Sequence, residues 1–278
     1  MFKTDPRTLT LLLAAFPVAA SLFTGCSSTG GGAMGSVMVD DQAVREMSAE
    51  QFEQIKSRSR VSRNAKQIRR VDEIVRNLSA YVDWWQVMDD WEVIILENKN
   101  NINAFAMAGG KIGVYTGLLD TVENDDQLAF VLAHEISHVT EKHVHDRLAE
   151  QMVMEAGGTV LGVGSAVGGG GLLYGVYTLY DMGSGAASLS FNRQKEREAD
   201  ERGLLLMAKA GYDPREAVRI VFLVNEEAIS SGKQAPAAWQ STHPSSGQRM
   251  EKLNRLMPTA LEYYNQATAQ STENVIGF

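Results

Sequence analysis

The segment His134-Glu135-Ile136-Ser137-His138 constrains this chain more than any other. It lies in an apolar run, with Leu128-Ala129-Phe130-Val131-Leu132-Ala133 before it and Val139 after. That run reads as a buried helix opened by an N-terminal cap in Asn124-Asp125-Asp126. Residues four apart stack on one helix face, so both imidazoles can converge on one cation while Glu135 borders its open side. Two histidines and a glutamate inside an apolar helix each need a polar partner, and one metal ion supplies all three. The predicted chemistry is metal-assisted hydrolysis, most often of peptide bonds. Glu135 would take a proton from a coordinated water whose pKa has fallen from about 15.7 toward about 7.

Two histidines and a water leave one protein ligand to be found elsewhere. A metzincin-type extension would need Gly at 141 and His at 144, where the chain has Glu141 and Val144, and a thiolate ligand is excluded because Cys26, directly after the leader, is the only cysteine. If the helix continues, His145 lies about 10 Å of rise beyond His138 and cannot share the ion. His143 and His145 therefore read as surface or hydrogen-bonded histidines. A second helix is predicted from the charged segment Asn192 to Gly203, which leads into Leu204-Leu205-Leu206-Met207-Ala208. Glu196 and Asp200 share one of its faces and Glu198 points the other way. Glu196 is the expected third ligand, and Asp200 is expected to accept the free N–H of a ligating histidine. The competing reading of this run is a salt-bridged, solvated helix; the upstream motif favours ligation.

His134-Glu135-x-x-His138 followed by Glu196-x-x-x-Asp200 resembles the gluzincin metallopeptidases of the CaaX prenyl protease, HtpX, BepA and LoiP type. Asn103-Ala104-Phe105-Ala106, the stretch Gly109 to Leu119, Gly211-Tyr212-Asp213-Pro214 and Thr242-His243-Pro244 extend the resemblance over residues 45 to 257. Asn192 departs from it, since Ser often precedes Arg193. The resemblance implies one Zn²⁺ per chain on His134, His138 and Glu196, and a zincin-like α+β domain, mainly helical, with a small sheet beside the metal helix. It implies that Asn103, Ala104, Phe105 and Ala106 hold an extended peptide by edge pairing. Read from the residues alone, Trp91 to Leu96 and Ala104 to Ala108 are short strands that serve a structural hairpin equally well. His243 matches a histidine that reaches the zinc as an extra ligand or donates to the oxyanion; a helix-capping loop histidine is the plainer alternative.

The N-terminus, with Lys3, Arg7 and the apolar stretch Leu9 to Ala20, reads as a secretory leader spanning 1 to 25. Phe23-Thr24-Gly25-Cys26 looks like a lipobox with Phe in place of the usual Leu. It implies lipidation of Cys26 and, with Ser27 following, outer-membrane sorting. Residues 26 to 45 are expected to form a Ser/Gly-rich tether, 46 to 265 the metallopeptidase domain, and 266 to 278 a flexible tail. A helix is predicted over 48 to 82. Its first half is basic, which suits either a solvated face or anionic lipid. Residues 157 to 185 hold eleven of the 25 glycines; within a Gly-rich excursion over 157 to 190 they read as a pliable lid or lipid-contacting element, or as a packed hairpin. Asp213-Pro214 opens a further helix, and a last one runs from Gln248 to Met257, ended by Pro258. No repeat follows the metal motif, so the chain more closely resembles the single-domain LoiP-like periplasmic lipoproteins.

The function expected is a zinc-dependent endopeptidase acting in envelope protein quality control on unfolded or misassembled proteins. It is expected to face the periplasm from the outer membrane, with polypeptide substrates, the envelope assembly machinery as a further partner and no nucleic-acid partner. The rival is a periplasmic chaperone or assembly factor with a capped, latent metal site. Glu135, for which a binder has no chemical use, favours catalysis.

Overall fold

The computed structural model describes residues 40 to 83, 91 to 155, 191 to 230, 243 and 247 to 276. The leader, most of the tether, the Gly-rich stretch 157 to 185 and the flanks of His243 lie outside the described residues. Helix α1 (Asp41–Arg58) starts within the stretch assigned to the tether and is capped by Asp40, whose carboxylate accepts from Ala43 N at 2.8 Å. Helix α2 (Ala65–Ser79) begins after Asn64, which accepts from the amides of Lys66 and Gln67.

The single helix expected over 48 to 82 is thus two. Ser and Asn side chains at 59, 62 and 64 offer the backbone local alternatives to helix. The link between the helices also hydrogen-bonds along the sheet, with Ser62 N to Ile95 O and Glu97 N to Arg60 O both at 2.8 Å.

Strands β1 (Glu92–Leu96), β2 (Ala104–Met107) and β3 (Lys111–Tyr115) form a sheet in the order β1-β3-β2. β1 runs parallel to β3, and β2 pairs antiparallel with it, Ala104 facing Val114 and Met107 facing Lys111. Gly109 and Gly110 turn this hairpin at φ 78° and 71°, a conformation side chains with a Cβ resist. The period of two is strict: Ile95, Ala104, Ala106, Ile112 and Val114 join the main core, while Ile94, Leu96, Phe105, Met107 and Tyr115 join a second cluster under α1. Both faces of the sheet are therefore covered.

Helix α3 (Thr116–Thr121) leads to the metal-motif helix α4 (Asp125–Thr140), capped by Asn124 accepting from Gln127 N at 2.8 Å. Every α4 residue from Gln127 to Val139 is buried, because α2, the sheet, α6 (Arg193–Lys209) and α7 (Arg215–Ser230) pack around it. A Cβ on Gly203 of α6 would lie 2.9 Å from the backbone nitrogen of His134. Glycine there lets α6 approach α4 at the residue that matters most.

Helix α5 (His143–Glu155) follows α4 directly, after Lys142 reverses the backbone at φ 55°. The last helix, α8 (Gly247–Ile276), runs thirty residues through Pro258, where a stop was expected, and continues into the stretch assigned to a flexible tail. Pro258 forfeits one helical hydrogen bond, but Leu253 and Ala260 are buried on either side of it and Met257, Tyr263 and Tyr264 pack on the core. Tertiary contact thus holds both halves of the helix in place.

Candidate metal centre

Helices α4 and α6 bring the two sequence motifs face to face. His138 Nε2 lies 3.1 Å from His134 Nε2. The Glu196 carboxylate is 3.6 Å from His134 Nε2 and 3.4 Å from His138 Nε2. His243 completes the group, its Nδ1 3.2 Å from His134 Nε2 and 3.0 Å from Glu196 Oε1. These four donors all lie within 4.8 Å of one another and belong to buried residues. Four ligands at about 2.0 to 2.1 Å from a tetrahedral ion stand about 3.3 Å apart, which the observed distances bracket. One imidazole lone pair cannot serve three partners as hydrogen bonds, so convergence on a point fits a shared cation better. The donor set, three imidazoles and a carboxylate, suits zinc.

The surroundings fix each ring. Asp200 Oδ1 lies 3.1 Å from His134 Nδ1. Arg249 grips that carboxylate from behind through Nε and Nη2 at 2.7 and 2.6 Å. Its Nη1 reaches Glu196 at 3.2 Å and the His243 carbonyl at 3.4 Å. On the other side, His143 Nδ1 lies 2.9 Å from His138 Nδ1, and its Nε2 lies 3.5 Å from Glu198 Oε2. Phe191 stacks on His138 at 4.0 Å between ring centroids. With both Nδ1 atoms engaged, both Nε2 lone pairs are left to face the common point.

Glu135 sits at the rim, its Oε1 3.2 Å from His243 Nε2. Burial opposes its ionisation, but the positive character of His243 holds its carboxyl below the ordinary range. Burial likewise opposes charge on Glu196, and His243 and His138 overcome it, leaving it well below normal. Asp200 falls to about 2 against the same burial because of Arg249. Burial drives His138 down to about 4, the neutral form a metal needs. Burial disfavours charge on His243 too, yet Glu196 and Glu135 lift it to about 10. Three carboxylates set against one guanidinium make a pocket that attracts positive charge.

The structure brings His134, His138 and Glu196 together with His243, and it places the Asp200 carboxylate beside His134 Nδ1. Asn103 and β2 pack close to α4 but are sealed: Asn103 accepts from Ala104 N at 3.0 Å through its side chain, and Ala104 to Ala106 are at most 4% exposed. A peptide can pair with this strand only once it is uncovered. Cys26 lies outside the described residues. His145 makes an ion pair with Asp41 at 3.0 Å. Of the two readings for His143, surface or hydrogen-bonded, the structure shows the second: the helix does not continue, and Lys142 folds the ring back onto His138. Reading 134 to 145 as one helix hid it. Sequence reasoning also missed Arg249, which is 1% exposed, because nothing local marks a residue whose partners are some fifty positions away.

Comparison with known proteins agrees with this geometry. The family model described as Peptidase family M48 matches residues 65 to 257. The mitochondrial metalloendopeptidase OMA1 of Arabidopsis thaliana is 34% identical over 194 residues, covering 68% of this chain and 36% of that protein. Its Saccharomyces cerevisiae namesake is 31% identical over 187 residues, 66% of this chain and 52% of that one. The beta-barrel assembly-enhancing protease of Escherichia coli (strain K12) is 30% identical over 178 residues, 60% of this chain and 35% of that protein. The matched segment spans from about a third to half the length of these relatives. With more than half its length matched and both motifs converging on one cation-sized point, the chain belongs to peptidase family M48.

Proposed function

We propose that the chain is a zinc-dependent endopeptidase held in a capped resting state. The convergence of His134, His138, Glu196 and His243 carries this reading. Bound there, zinc supplies a Lewis acid that polarises a scissile carbonyl and acidifies water. His134 and His138 would hold the ion through their Nε2 atoms, with Asp200 and His143 engaging the opposite ring nitrogens. Glu135 accepts the proton of the attacking water on Oε1 and returns it to the nitrogen of the leaving amine. With zinc bound at rest, His243 would give up its Nδ1 proton and hold the ion through that atom while its Nε2–H donates to Glu135, so one ring would block both substrate and base. Release of His243 and uncovering of β2 open the site together.

The proposed substrates are unfolded or misassembled envelope proteins, consistent with the name of the beta-barrel assembly-enhancing relative. The lipobox-like segment supports a chain tethered to an envelope membrane through Cys26. No helix among the described residues is long and apolar enough to cross a membrane. The closed site also favours a second reading, a chaperone or assembly factor with a latent metal. Proteolysis of a denatured, reduced globular protein by the zinc-loaded chain separates the two. An endopeptidase gives cleavage that Glu135→Gln reduces by about 10³-fold or more and that His243→Ala increases. Cleavage equal in Glu135→Gln and parent removes the mechanism; none even from His243→Ala supports the binder.

A further inference from the structure

Helix α2 turns its apolar residues Val71, Ile74, Val75 and Leu78 into the core and carries Lys66, Arg69, Arg70 and Arg76 against Asp72 and Glu73 on its remaining surface. With the end of α1 and the link before α2, residues 56 to 76 hold eight Lys and Arg against two acidic residues, although the net charge is −8; of these, Lys56 pairs with Glu53 and Glu92, and Arg70 with Asp125. The rest of the molecule is correspondingly acidic. Arg63, Lys66, Arg69 and Arg76 are exposed, with no ion-pair partner among the described residues. Beside them, Arg60 and Lys99 are 82% and 83% exposed and pair only loosely, at 3.6 and 3.8 Å, contacts worth little in water.

Shallow clefts lie on both sides of the helix. One, of about 620 Å³, is lined by Arg60, Arg63 and Lys99 against Glu97 and Asp120. The other, of about 640 Å³, is lined by Lys66, Arg69 and Arg70 against Glu73 and Asp125, with Arg70 and Asp125 paired at 2.6 Å. Each keeps one cation in excess of its carboxylates.

We propose that this face of α2 docks on an anionic phospholipid surface. Charge complementarity selects the occupant. An extended anionic plane repels the acidic remainder and meets a cationic face here, so the field both attracts the protein and orients it. Each cation brought near such a surface raises partitioning about fivefold. Docking sets α2 between the lipid and metal helix α4, so catalysis occurs on the aqueous side. The inference is independent of acylation at Cys26, which would add a tether without choosing a face.

The test uses the full-length chain carrying Cys26→Ser, so that no lipid is attached, with sedimentation on vesicles of phosphatidylglycerol and phosphatidylcholine or of phosphatidylcholine alone. The apolar leader contributes equally to every sample. Binding should be at least tenfold stronger on the anionic vesicles and should weaken sharply at about 0.5 M salt. Lys66→Glu with Arg69→Glu should cost about a hundredfold. Arg193→Glu with Arg255→Glu, the same change in net charge away from α2, should cost much less. Equal binding to both vesicle types, or equal losses from the two double variants, overturns the proposal. So does a loss seen only against an acidic polypeptide and not on vesicles, which would assign the face to a protein partner.

Discussion

His134 and His138 do the same work one helical turn apart, yet the protein holds them by opposite means. Behind His134 stands a charged, dry assembly: Asp200 and Arg249 are 0% and 1% exposed and meet through two short hydrogen bonds. Behind His138 stands a second imidazole, His143, stacking from Phe191, and Glu198, whose side chain is 44% exposed. Either arrangement orients a ring and protects its tautomer. They differ in what breaking them costs. Removing one member of a buried ion pair strands the other's charge, whereas a neutral ring backed by a solvated carboxylate leaves little uncompensated.

The largest expected effect follows from that difference. Arg249→Met should destabilise the chain by about 3 to 5 kcal/mol, because Asp200 stays buried without its guanidinium. Denaturant unfolding in the presence of chelator checks this free of the metal's contribution. A loss under about 1 kcal/mol would erase the contrast between the two sides. Next comes Gly203→Ala, whose new methyl would press on the His134 backbone. It should cost about 1 to 3 kcal/mol in thermal unfolding, and the helix spacing at His134 should widen in a crystal structure. The smallest effect belongs to the His138 side. His143→Leu should weaken zinc binding about tenfold in a chelator competition while leaving folding nearly intact. His143→Gln should restore it, since an amide oxygen can still accept from His138 Nδ1. Glu198→Gln should change affinity less than about threefold. A larger loss from Glu198→Gln than from His143→Leu would mean that the exposed carboxylate governs this side.

The parts of the fold and site set by local pattern were legible in the sequence. Asn124, the apolar run of α4 and the four-residue spacing of His134 and His138 identify their helix by themselves, and Glu196 and Asp200 repeat the spacing on α6. Legibility ended where distant contacts decide. The basic stretch around Arg60 looks helical until the edge of β1 takes its hydrogen bonds. Pro258 reads as a helix stop until buried neighbours hold it in line. His143 vanished into an assumed continuous helix because a lysine at positive φ has no sequence signature. Arg249 was invisible because its significance lies wholly in Asp200, Glu196 and the carbonyl of His243.

The central claim is that these donors hold one zinc ion and that His243 is the ligand that can leave. Zinc-edge X-ray absorption on the parent and on His243→Ala tests it most directly. Three imidazole nitrogens and one oxygen around zinc in the parent, falling to two imidazoles with added oxygen in the variant, is the predicted result. An imidazole count unchanged by the substitution, or failure of the parent to retain zinc, would contradict it.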